Sequence, residues 1–165
     1  MEVQDSGQVR IQKIENIIAE CRFGIHDISR TDPDPDSKLP RFNMPLELGL
    51  FLGAKRYGNK RQRMKTCKIL DLERFRFQKF CSDISGQDIS AHNGDPNKAI
   101  KAVRDWLSSS KPRVLIPSGS KIAERYRQFQ ADLPMFCATF KLDSDELTFI
   151  DFQNVVVEWL GDNRW

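Results

Sequence analysis

This chain sets aside little with which to hold a metal. Its 165 residues include two histidines and four cysteines, and Cys21, Cys67, Cys81 and Cys137 form no CxxC pair. The ligand spacing of a structural zinc site is therefore missing. Cys21 and Cys67 lie in apolar surroundings, the pattern of buried free thiols in a reducing cytosol. No apolar run approaches the roughly 20 residues needed to cross a bilayer. The opening residues, Met1 to Gly7, lack both the basic end and the apolar middle of a secretory signal. The expected setting is the cytoplasm, with no membrane partner. Glycine-rich phosphate loops are also wanting: neither GxGxxG nor a Walker loop occurs, which disfavours dinucleotide redox chemistry and P-loop hydrolysis. The GxSxG elbow of serine hydrolases is absent too.

What is present suits an ordinary globular protein. The length allows one domain with a core that needs no staples, and hydrophobic residues make up 39% and charged residues 30%. The formal net charge of +3 says little about partners, but the charges are unevenly placed. Six basic residues and no acid lie between Lys55 and Lys65. Such a run is either a solvated loop or a footprint for phosphate and nucleic acid. Four aspartates stand against one arginine between Asp27 and Asp36.

Hydrophobic spacing gives the order of elements. Val9 to Cys21 places Ile14, Ile17, Ile18 and Cys21 on one helical face, with Asp5 or Ser6 available as a cap. Phe23 to Ile28 reads as a buried strand. Thr31 to Pro40, with three prolines and three aspartates, reads as an exposed loop of the length often used as a lid. Pro45 to Tyr57 is a second helix stopped by Gly58. Its proline fits the first turn, where a missing N–H costs nothing, and Asn43 stands before it as a cap. Thr66 to Leu72 is a second strand, Phe75 to Ile84 a helix with Phe77, Phe80, Cys81 and Ile84 inward, and Gly86 to His92 holds a short strand. Pro96 to Leu107 is a helix opened by Asn93 or Asp95. Beyond it the chain reads as helical: Lys121 to Leu133, a break at Pro134, and a last helix ending near Leu160. Phe149, Phe152, Val155, Val156, Trp159 and Leu160 make a broad apolar face there, suited to packing or to a homo-oligomer contact.

Helices alternating with short buried strands predict an α/β fold with a small parallel sheet, flanking helices and a helical C-terminal third. The expected division is an α/β domain over residues 1–110 and a helical extension over 111–165 packed on it. Three strands are few for an open α/β sheet. Either the sheet is small, or a first strand and helix are missing from this polypeptide.

In open parallel sheets ligands bind outside the carboxyl ends of the strands. Asp27, Ser29 and Arg30 leave the first strand there, and Arg41, Asn43 and Glu47 lie around the start of the next helix. Glu47 is a carboxylate among Leu, Phe, Gly and Ala, and buried glutamates are rare without a purpose. Held ionised by the helix dipole, it suits a nucleophile or the stabilisation of an oxocarbenium-like centre. Asp27 can hold ribose hydroxyls, and Arg30 or Arg41 can fork onto phosphate. Plainer roles stand beside each of these. Glu47 can reach solvent or pair with an arginine, Asp27 can cap its turn, and the arginines can neutralise the acidic loop. His26 reads as a hydrogen-bonded core histidine and His92 as a loop residue.

The blocks Gly24-Ile25-His26-Asp27-Ile28-Ser29 and Asn43-Met44-Pro45-Leu46-Glu47-Leu48-Gly49, the latter running on to Gly53-Ala54, resemble the nucleoside 2-deoxyribosyltransferase-like superfamily and the related TIR-like NAD-cleaving and nucleotide-sensing domains. The resemblance covers about residues 8–72. It implies a flavodoxin-like fold, Glu47 as the catalytic carboxylate, Asp27 as its sugar-binding partner and Asn43 as a group that shapes the pocket. It also implies NAD or a nucleotide as substrate or ligand; no separate cofactor is expected, and with two histidines and no clustered ligands no metal is expected either. Family members begin with a strand that helps bind the base, and this chain shows none before its first helix. Three functions follow: cleavage or transfer of an N-glycosidic bond, nucleotide sensing without turnover, or nucleic-acid binding through residues 55–65.

Overall fold

The computed structural model describes residues 9–40 and 42–164. Helix α1 (Arg10–Glu20) is followed by β1 (Phe23–Asp27), α2 (Asn43–Tyr57), a short α3 (Lys60–Arg63), β2 (Thr66–Asp71), two 3-10 turns (Arg76–Lys79 and Ser82–Ile84), β3 (Ile89–Ala91), α4 (Pro96–Ser110), α5 (Gly119–Thr139) and α6 (Phe149–Asp162). The strands form one parallel sheet in the order β1-β2-β3. This is the α/β class expected, with the small sheet and the helical C-terminal region. The chain divides into two compact units, one ending at Gly119 and the other beginning at Ser120.

In the first unit, pairing of Phe23 with Thr66 and Asp27 with Leu70 sets which side chains share a face. Ile28, Leu48, Ile69 and Phe77 are buried together, with Met44, Leu52, Cys67 and Ile89 against them, so α2 covers this face. On the other face Phe23 meets Trp106 of α4 edge to face, with ring centroids 5.9 Å apart.

The end of α1 shows how the unit is tied. This helix ends without glycine and without a cation in its last turn, so its terminal carbonyls need partners from elsewhere. Residues in and just after α3 supply them. Lys65 donates to the carbonyls of Ile18 and Cys21. Gln62 Nε2 donates to Ala19 at 2.9 Å and Arg61 Nη2 to Glu20 at 3.2 Å. Lys65 is 2% exposed, and burial lowers its pKa. At the carboxyl end of the sheet Arg76 makes a second tie. Its guanidinium pairs with the fully buried Asp71 at 2.7 Å and donates to Thr31 Oγ1 and to the carbonyls of Ile28 and Ser29.

Several sequence expectations need correction. Asn43 is the first residue of α2 rather than its cap; Phe42 occupies the cap position without a side-chain bond. The stretch Phe75 to Ile84 is two 3-10 turns, because Phe75 takes a left-handed φ of 64° and Arg76 is drawn to Asp71. Phe77, Phe80 and Ile84 still pack into the core, whereas Phe75 is exposed. Pro134 does not break α5, which runs through it. Pro134 and Gln130 both lie on the exposed side, so the carbonyl that loses its partner faces solvent. Phe129, Leu133, Phe136 and Cys137 pack on both sides of the proline and hold the two halves in line. Asp5 and Ser6 lie outside the described residues, and Val9 occupies the cap position of α1. Asp95 does cap α4, through Asn97 N–H at 2.8 Å.

The second unit is built from α5 and α6. Phe129 lies edge-on to Trp159 at 5.3 Å and to Phe152 at 5.8 Å. Trp159 Nε1 donates to Asp132 at 3.0 Å, and a reciprocal capping box joins Thr148 to Asp151.

Candidate functional site

A groove of about 250 Å³ opens between α1, β1 and α2. Its walls are largely apolar, with Ile14 and Ile17 on one side and Phe23, Met44 and Phe51 on the other. Two polar side chains enter it, Glu47 from α2 and His26 from β1. Glu47 also lines a neighbouring hollow of about 210 Å³ with Arg10 and Asn43. Asn43 and Glu47 stand four residues apart on α2, which brings them to one face of the helix.

Burial among these residues pushes the Glu47 carboxyl above its ordinary 4.5, and the charge of Arg10 partly opposes that rise. His26 is 8% exposed, and burial lowers its pKa below 6.5, so the ring is neutral at physiological pH. Its Nε2 is buried with no hydrogen-bond partner. Such a nitrogen is costly to leave unpaired, and a native structure that does so calls for a reason. Gly24 makes this geometry possible. A Cβ at residue 24 would stand 2.8 Å from His26 Nε2 and 2.8 Å from the Phe51 ring. His26 and Phe51 meet edge to face at 5.0 Å.

Asp27 and Ser29 sit elsewhere, at the carboxyl edge of the sheet. The exposed Asp27 accepts from Ser29 N–H at 3.0 Å, and His92 Nε2 faces the same carboxylate oxygen at 3.5 Å. His92 Nδ1 accepts from Gly94 N–H at 3.1 Å, which leaves the ring proton on the nitrogen that faces Asp27. The turn that allows this has left-handed φ at both Asn93 and Gly94. The Ser29 carbonyl accepts from Arg76, and Arg30 is exposed. Arg41 lies outside the described residues.

Of the residues singled out in the sequence, Glu47 and Asn43 thus come together beside α1, and Asp27 and Ser29 come together beside His92. Asp27 is not among the residues that line the Glu47 groove; its neighbour His26 is. His26 is buried as expected, but with Nε2 unpaired rather than satisfied. Two further participants, Arg10 and the His92 partnership, carry no local signal, because each depends on a contact made across the fold. Among the described residues no group of three or more His, Cys, Asp or Glu is placed to hold a metal ion. No described helix is long and apolar enough to cross a membrane. Comparison with protein-family models, curated proteins and solved structures finds no match.

Proposed function

We propose that the chain binds a nucleoside, nucleotide or NAD-like ligand in the groove beside Glu47 and cleaves or transfers its N-glycosidic bond. The observation that carries this reading is the meeting of a half-buried carboxylate and an unpartnered imidazole nitrogen in an apolar groove. Apolar walls with a few convergent polar groups are the ordinary make-up of a small-molecule site. The walls offer a flat base apolar contact, and the neutral His26 ring is among the residues that line them. Glu47 then acts on the anomeric carbon. Its carboxylate bonds to that carbon as the carbon–nitrogen bond breaks and the bonding pair stays on the base nitrogen; the pyridinium of an NAD-like ligand leaves as neutral nicotinamide, and the base of a nucleoside takes a proton from solvent. Water or a second base afterwards displaces the carboxylate.

Asp27 orients the ribose in the reading taken from the sequence. Its engagement with His92 and its absence from the groove lining favour a second reading, a nucleotide sensor that holds its ligand without turnover. Base release separates the two. Purified protein is incubated with NAD and with ribo- and deoxyribonucleosides, and free base is followed by chromatography. Release by the wild type that disappears in Glu47→Gln supports the enzyme. Thermal stabilisation by one of these compounds without release supports the sensor. Release that survives Glu47→Gln, or neither release nor stabilisation, overturns the groove assignment.

A further inference from the structure

The fold sorts the six cations between Lys55 and Lys65 into different jobs. Lys65 is buried on the carbonyls that end α1, and Arg61 is bonded to Glu20. The others stay at the surface. Lys55 and Arg56, in the last turn of α2, line an open concavity of about 660 Å³ with Arg63, Leu52 and Gln87. No carboxylate is among these lining residues. Arg63 is oriented by its Nε, which donates to the Gly58 carbonyl at 3.1 Å. Lys60 is exposed on the adjoining α3. Tyr57, next to Arg56 in the chain, is 85% exposed and stands outside the lining of the concavity.

We propose that this concavity and Tyr57 form a binding site for single-stranded nucleic acid, separate from the Glu47 groove. The cations follow the phosphates, and an arginine held by one nitrogen presents the rest of its planar fork to phosphate oxygens. The exposed tyrosine supplies what a site for free phosphate does not need, a face on which a base stacks. A basic track with aromatic platforms is the general make-up of single-strand binders, and stacking works with any base.

The test follows the anisotropy of a labelled single-stranded oligothymidylate over a salt series. Three lining cations predict a log–log salt slope of about −2. Lys55→Gln with Arg56→Gln should remove roughly one to one and a half from the slope's magnitude. Tyr57→Ala should weaken binding by roughly tenfold or more at constant salt, with little change of slope. All of these side chains are exposed, so the melting temperature should hold, and Arg113→Gln, a charge removed elsewhere, should bind as the wild type does. Glu47→Gln should also bind normally, which keeps this result separate from that of the groove. Three outcomes overturn the proposal. One is no binding, or equal loss in Arg113→Gln. Another is binding that duplex or heparin matches with no effect of Tyr57→Ala. The last is displacement by pyrophosphate with an affinity equal to that of the oligonucleotide.

Discussion

The two compact units are held together in different ways. In residues 9–119 the ties are polar and reach far along the chain. Lys65 meets carbonyls 44 and 47 residues away, and Arg76 reaches Ile28 across 48 residues. In residues 120–164 the ties are shorter: aromatic rings packed between two successive helices, one indole hydrogen bond, and the capping box that opens α6. A three-stranded sheet offers little area to bury, so the α/β unit relies on hydrogen bonds that complete backbone groups left open by its short elements. A pair of amphipathic helices completes its own backbone and needs only side-chain packing. Long-range polar ties thus mark the first unit, and aromatic packing between neighbouring helices marks the second.

The sharpest way to break this contrast is Arg76→Met. It leaves the carboxylate of Asp71, which is 0% exposed, without its partner. Removing one member of a buried pair costs about 3–5 kcal/mol. The loss should be read in denaturant unfolding and in faster hydrogen exchange of β1 and β2 amides; a loss below about 1 kcal/mol would show that the tie is incidental. Thr148→Ala, in the helical unit, should cost about 1 kcal/mol, confined to the first turn of α6 in hydrogen exchange.

The smallest effect concerns Glu47 and has the opposite sign. Its folded pKa is raised by burial, so the cost of ionising it in the folded state is absent below its ordinary 4.5 and complete above the raised value. Glu47→Gln should therefore melt higher than the wild type at neutral pH, and the gap should close as the pH falls below 4.5. His26 acts in the other direction. Its lowered pKa gives stability above 6.5 that fades as the pH drops and the unfolded chain takes up the proton. Both proteins carry His26, so its contribution cancels in the difference. A Glu47→Gln protein that melts lower than the wild type at neutral pH, with the deficit closing toward acid, would show that the Arg10 attraction outweighs burial.

Much of the fold is legible in the sequence because it rests on local pattern. The β-branched and apolar runs at Phe23 and Thr66 are strands, and the stripes of α1 and α4 are helices, within a residue or two at most ends. The misreadings share a cause. Pro134 ought to stop a helix, yet its missing bond falls on the solvent side and the packing around it prevails. Phe75 to Ile84 has helical spacing, but Arg76 finds stronger partners in Asp71 and the loop after β1 than a helix would give it. Lys65 looks like one more surface cation and is an internal cap. At the candidate site, Glu47 stands out as a charge among apolar residues, whereas the open valence of His26 depends on how Gly24 and Phe51 meet it. No spacing rule encodes that.

The borrowed cap of α1 has a consequence for the order in which the molecule assembles. An 11-residue helix without its own C-terminal signals is marginal by itself. Its last carbonyls find their donors 41 to 47 residues further along, once the chain through β1, α2 and α3 has closed a long loop. The entropic cost of that closure comes before the bonds that repay it. Helix α1, although it precedes those elements in the chain, is therefore among the last parts of its unit to set. One wall of the Glu47 groove forms with it, so a chain caught short of that step has its sheet but not the groove.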